Sequence, residues 1–351
     1  MSKSISVTLT NDEYENFKKE ADGLGLTLGK LARMRLMSDT SFEETYDRLK
    51  HLASIAPPSI PFTVMSLFDE DDWRNNFDTG LKLSLGRTFY NYVRGNKMTS
   101  VVITKKNSSN VQQYQRDVLR PIRFKIKQWI NYKDTEPKID YLGNQSIFDD
   151  FRKQNDWDCV LTDGDLHADT IVSMKFLLRQ VIYYLADGKI IWNNTSYIPS
   201  MKDKDFWPFL NYLLDNIEIL LPPNNPIVDK LSQLFELSLT RANVMILPAR
   251  SLQERGAAPW YDYIPAFLSE ILKLNKSRFR YKFDSTEEVI DFIKNQHLET
   301  FFIGEEISYD NIIDIHETQD VEKNFEQGKA LNLSKIIDSY IDILKVRSKY
   351  F

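Results

Sequence analysis

One cysteine, Cys159, among 351 residues leaves no intramolecular disulfide and no cysteine-based zinc site. That fits a reducing compartment, and a cytoplasmic location is expected. No apolar run reaches the 18 residues of a membrane span, so no membrane association is expected. The opening "MSKSISVTLTNDEYENF" lacks the apolar stretch of a secretory leader, so none is expected. Internal repeats and low-complexity tracts are also missing. What is present is ordinary for a globular chain, with 42% hydrophobic and 27% charged residues. Aromatics reach 13%, enough to fill sizeable cores, and the length allows two or three domains.

The stretch "GLGLTLGKLARMRL", residues 23–36, has the glycines and lysine of a phosphate-binding loop but not their spacing. Leu24 stands where the first glycine of that loop belongs, and Leu31 where a magnesium-binding hydroxyl is needed. The residues before it read as a helix rather than a strand, so no nucleotide cofactor is expected.

In "SISVTLT", Ile5, Val7 and Leu9 alternate with Ser4, Ser6 and Thr8, the period of a strand. Thr10 and Glu13 form a capping-box pattern. Tyr14, Phe17, Ala21 and Leu24 then recur at helical spacing. Gly25 suits a helix C-cap, and Thr27 suits the N-cap of a second helix carrying Leu28, Leu31 and Ala32. Strand, helix, turn, helix over residues 3–40 resembles the ribbon-helix-helix family of Arc- and MetJ-type repressors. The resemblance implies a homodimer joined through the N-terminal strand, with the ribbon in a DNA groove. It places Lys3, Ser4, Ser6 and Thr8 towards bases, and Thr27, Gly29 and Lys30 at a phosphate. Family members often carry arginine, lysine or glutamine on the ribbon; the small hydroxyls here imply modest base discrimination.

"SFEETYDRLKHLAS" reads as an amphipathic helix, and "APPSIP" at 56–61 as a linker. Residues 62–127 form a third segment. Val64 to Phe77 is expected to be helical, with Leu67, Phe68 and Trp73 in the core. A turn at Asp78-Thr79-Gly80 precedes a helix with Leu85, Phe89 and Val93 inward and Gly95 as its stop. "TSVVITKK" and "VQQYQR" around "NSSN" read as a hairpin. Helix, turn, helix, hairpin is the order of a winged helix-turn-helix. The "LSLGRTFYNYV" segment also resembles a small bacterial domain of uncharacterised function, which implies no activity.

Between Thr79 and Lys127 stand eleven Lys/Arg and one acid, Asp117, a net +10 within a chain of net −5. Such segregation is the footprint expected of a phosphate-contacting face. Lys82, Ser84, Arg87, Thr88, Asn91 and Arg94 are expected to point away from the apolar side of the helix. Arg87 and Asn91 suit guanine and adenine edges, and Lys105 and Lys106 the tip of a wing.

From residue 128 to 351 a mostly helical domain is expected, with a few strands. "VLTDGDLHADTIV" resembles the catalytic loop of aminoglycoside-phosphotransferase-like kinases, with Asp165 in the place of the base. Asp163 and Thr170 stand where that loop has histidine and asparagine, and no glycine-rich loop precedes it, so no kinase is expected. Asp163, Asp165, His167 and Asp169 alternate like metal ligands, but Ala168 and Met174 stand where an EF-hand needs glycine and glutamate. A polar turn capping a helix from near Asp169 is the plainer expectation. Arg241, Arg250 and Arg255 suit salt bridges or an anionic ligand. His297 and His316 form no catalytic set.

The expected protein is therefore mainly α with minor β, not an enzyme and without cofactors. It is a dimeric, sequence-specific regulator or nucleoprotein-assembly factor, of a mobile element, bound to double-stranded DNA. Two alternatives stand beside it. One is an effector whose C-terminal domain binds a protein partner while the N-terminal half only autoregulates. The other is an enzyme with an unrecognised C-terminal site.

Overall fold

The computed structural model describes residues 6–24, 26–29, 31–32, 41–131, 166–170, 174–186, 206–238, 240–248, 263–273, 283, 285–313 and 333–350. They are mainly helical and fall into two compact units, Met1–Val118 and Leu119–Phe351.

The first unit begins with α1, Asn11–Leu24. Its expected capping box forms: the Thr10 amide donates to Glu13 Oε2 at 2.8 Å, and the Glu13 amide donates to Thr10 Oγ1 at 3.3 Å. Residues 28–29 and 31–32 are helical too. Helix α2, Ser41–Ile55, carries Phe42, Tyr46, Leu49 and Ala53 on its buried side, at helical spacing. Helix α3, Thr79–Arg94, starts at Asp78, whose carboxylate accepts from the Leu81 amide at 2.8 Å. Thr79 and Gly80, expected in a turn, thus belong to the first turn of α3. Leu85, Phe89 and Val93 point inward, and the helix stops at Gly95 as expected. Gly95 itself has negative φ; the next residue, Asn96, takes the left-handed conformation at φ 55°.

The helix expected over 64–77 does not form as one element. A 3-10 turn at Met65–Leu67 and a π-turn at Asp72–Asn76 stand in its place. The acidic run Asp69-Glu70-Asp71 lies between them, and aromatic packing fixes the segment instead. Phe68 stacks on Trp73 at 5.9 Å and meets Phe77 edge-on at 5.1 Å.

Strands β1, Val101–Lys106, and β2, Gln112–Arg116, pair antiparallel as expected, Ile103 opposite Tyr114. Asn107 turns the chain: its side-chain oxygen accepts from the Ser109 and Val111 amides at 3.0 and 2.9 Å. The stretch at 56–61 is tied to this hairpin. Arg116 donates to the Ala56 carbonyl at 3.3 Å, and the Ser59 amide donates to the Arg116 carbonyl at 3.2 Å. Phe62 bridges Tyr114 through two 2.8 Å backbone hydrogen bonds. One core runs from Ala21, Leu26 and Leu31 through α2 and α3 to Val101 and Tyr114. The segments on either side of residues 40 and 61 share a single hydrophobic interior, and this compact unit runs to Val118.

The second unit contains α4 (Arg120–Asn131), β3 (Leu166–Thr170), α5 (Met174–Leu185), α6 (Phe206–Asp215), α7 (Ile217–Leu220), α8 (Pro226–Leu237), β4 (Val244–Pro248), α9 (Tyr263–Leu272), α10 (Thr286–Asn295) and α11 (Leu333–Arg347). Helix α8 is the hub, packed against α4, α5 and α11. Trp129 meets Phe235 edge-on at 6.0 Å, and Lys230 donates to Ser334 at 2.8 Å and pairs with Asp338 at 2.5 Å. Asn225 caps α8 ahead of Pro226, and Ser285 caps α10 by accepting from the Glu288 amide, three residues on. Before Pro222 the helical run is interrupted at Asn216, between α6 and α7.

At residues 166–170 a strand stands where a helix start near Asp169 is expected; the rest of 160–172 lies outside the described residues. Leu166 to Thr170 pairs antiparallel with β4, His167 opposite Leu247, and the next described helix is Met174–Leu185. The short apolar run "VMILP" supplies the ladder that "LHADT" needs, a long-range partner that local polarity does not reveal. Gly25, Asp163, Asp165, Arg250, Arg255 and His316 lie outside the described residues. Among the described residues no group of three or more His, Cys, Asp or Glu gathers as metal ligands do. No described helix is long and apolar enough to cross a membrane.

Candidate nucleic-acid interface

Helix α3 divides sharply. Leu81, Leu85, Thr88, Phe89, Tyr92 and Val93 form the packed side. Leu83, Arg87, Asn91 and Arg94 stand exposed along one stripe at helical spacing, with Gly80 exposed at its start. No acidic side chain occurs anywhere on the helix. Arg87 and Asn91 are one turn apart on this stripe, and both are exposed, as the sequence predicts. Ser84 and Tyr90 flank it half-buried.

Two expected contacts change character. Thr88 is 3% exposed and belongs with Leu85 and Phe89 to the buried side of the helix. Lys82 is half-buried, and its ammonium lies 5.8 Å from the centre of the Trp73 ring. Its stem packs while its charge is held at the rim. Lys105 and Lys106 are exposed at the end of β1, beside the hairpin turn.

The +10 stretch is less continuous than its sequence. Arg116 and Lys125 are buried, and Arg123 pairs with Glu218 at 2.8 Å. Arg120, Arg123, Lys125 and Lys127 belong to the second unit. Of the cations in this stretch, Arg87, Arg94, Lys97, Lys105 and Lys106 are exposed on the first unit. Two cations of α2 lie against other groups. Arg48 holds Asp72 at 2.7 Å, and Lys50 lies 5.1 Å from the centre of the Tyr46 ring.

At the N-terminus, Ser6, Val7, Thr8 and Leu9 are all exposed, Val7 at 67%, and these four residues form no strand in the described structure. A lone strand has no ladder partner, so alternation by itself cannot bury one side. Tyr14, expected inward, is 44% exposed, whereas Ala21, Leu26 and Leu31 are buried in the unit's own core. Thr27 and Gly29 are exposed; Lys3, Ser4 and Lys30 lie outside the described residues.

Residues 51–116 match a domain of unknown function, DUF1413. The match runs from the end of α2 through α3 to the end of β2, and so contains the exposed stripe and the hairpin. It includes the "LSLGRTFYNYV" segment and, like the resemblance read from that segment, supplies no activity. No curated protein and no solved structure matches the chain.

Sequence reasoning passed over Leu83, Gly86 and Tyr90. Leu83 is 69% exposed, which an apolar residue in an amphipathic helix does not announce. Its position one turn before Arg87 was the available signal.

Proposed function

We propose that the first unit binds duplex DNA through α3 and the adjoining hairpin, and that the protein acts as a dimeric, sequence-specific regulator or nucleoprotein-assembly factor. The observation that carries this reading is the acid-free stripe of Arg87, Asn91 and Arg94, exposed on a helix that the core holds rigidly from its other side. An α-helix fits the major groove of B-form DNA, and arginine and asparagine have the donor patterns that match guanine and adenine edges. Lys105 and Lys106 beside the hairpin turn supply backbone contacts of the wing type. Asp78 places a carboxylate at the α3 N-terminus, where it accepts from the Leu81 amide, so side chains on the flank are the better placed phosphate contacts.

The ribbon-helix-helix reading of residues 3–40 supplies the dimer. Exposed Val7 and Leu9 are the residues that a second copy of the strand covers in such a ribbon. A cytoplasmic location and a role on a mobile element belong to the same proposal. Electrophoretic or fluorescence titration of the full chain against random-sequence duplex at low salt tests it. Binding that weakens steeply with salt is expected; a folded protein with no detectable affinity ends the reading.

A further inference from the structure

Leu83 is an unexplained residue within the proposed interface. A leucine 69% exposed on the stripe of Arg87, Asn91 and Arg94 gains nothing from the unit's own core. Three residues on, nearly one turn along the helix, Gly86 carries no side chain, and a Cβ built there meets nothing within 4 Å. The unit's packing therefore does not call for glycine in the middle of α3, where it weakens the helix. Together the two residues make an apolar knob beside a shallow place, on a face whose ionised side chains are all cationic.

We infer that Leu83 reads thymine, packing against its 5-methyl group in the major groove while Arg87 and Asn91 engage neighbouring base edges. The inference rests on the proposed DNA binding and adds a specificity-determining residue to it. Charge selects the partner: Arg87 and Arg94 disfavour a cationic protein surface and favour a polyanion. Groove shape selects between nucleic acids, because the major groove of A-form RNA is too deep and narrow for side chains to read. The apolar feature that B-form DNA offers in that groove is the thymine methyl. Gly86 lets the edge of the helix come close to the groove wall.

The test uses the full chain and a duplex selected by it from a random-sequence pool, prepared with thymine and again with uracil, which differs only by the methyl group. The wild-type protein is expected to bind the thymine duplex about fourfold more tightly, the effect of burying one methyl-sized group. Leu83→Ala is expected to lose affinity for the thymine duplex and to bind both duplexes alike. Arg87→Ala is expected to weaken both while keeping the thymine preference, which separates apolar from polar readout. Leu83 is exposed, so the variant is expected to keep the wild-type melting temperature, measured alongside. A wild-type protein indifferent to the methyl group, or a Leu83→Ala variant with undiminished thymine preference, overturns this inference and leaves DNA binding standing. Failure of the folded protein to select any duplex overturns both.

Discussion

Gly86 and Arg347 pull in opposite directions on stability, and each is open to a single substitution. Glycine in a helix interior costs about 1 kcal/mol relative to alanine, and at Gly86 the added methyl meets no neighbour. Gly86→Ala is expected to raise the unfolding free energy of the first unit by up to about 1 kcal/mol in urea titration. A loss of stability would contradict the open space at that position. Arg347 is fully buried at the end of α11 and donates to the carbonyls of Ala242, Gln296 and His297 at 2.8, 2.6 and 3.0 Å. Burial pulls its guanidinium down to about 9, still charged at neutral pH. It thereby ties the end of α10 to the 3-10 turn before β4. Arg347→Ala orphans these carbonyls and is expected to cost about 3 kcal/mol or more, read as a lower denaturant midpoint. Nothing in the run "ILKVRSKYF" distinguishes Arg347 from a solvated C-terminal arginine; only the fold, which brings residues 242, 296 and 297 to it, reveals the role.

Among the elements, those defined by local chemistry were legible and those defined by distant partners were not. The capping boxes at Thr10–Glu13 and Ser285–Glu288, the asparagine-rich hairpin turn and the inward triplet Leu85, Phe89 and Val93 all follow from spacings of three or four residues. β3 needed β4, some eighty residues away in sequence, and residues 64–77 gave up a helix to stack Phe68, Trp73 and Phe77. In the site, Arg87 and Asn91 were legible from helical spacing, whereas burial alone removed Thr88 and exposed Leu83. The capping box also sets a pH dependence. Hydrogen bonds from the Thr10 backbone and side chain hold the Glu13 carboxyl below its usual range. A depressed carboxylate stabilises the fold above its ordinary pKa, and that contribution is lost as pH falls through the depressed value. Amide exchange in the first turn of α1 is expected to show less protection on acidification, and Glu13→Gln to flatten that response. An equal pH response in the variant would assign the effect elsewhere.

For the whole molecule, perturbations of the two units are expected to be separable. Arg347→Ala acts within the second unit and is expected to leave DNA affinity unchanged at temperatures where both units are folded. A parallel loss of affinity would show that the second unit takes part in binding. The chain's net charge of −5 conceals the exposed cations of the α3 face and hairpin, so affinity is expected to be governed by local charge rather than by the total. The most direct measurement is the salt dependence of duplex binding by the full chain, wild type against Arg87→Ala. A linear fall of log affinity with log salt is predicted for the wild type. The variant is predicted to bind more weakly, with a slope shallower by about 1 where Arg87 meets a phosphate and an unchanged slope where it meets a base. A folded protein that ignores duplex at low salt, or whose affinity is untouched by Arg87→Ala, would contradict the proposed interface.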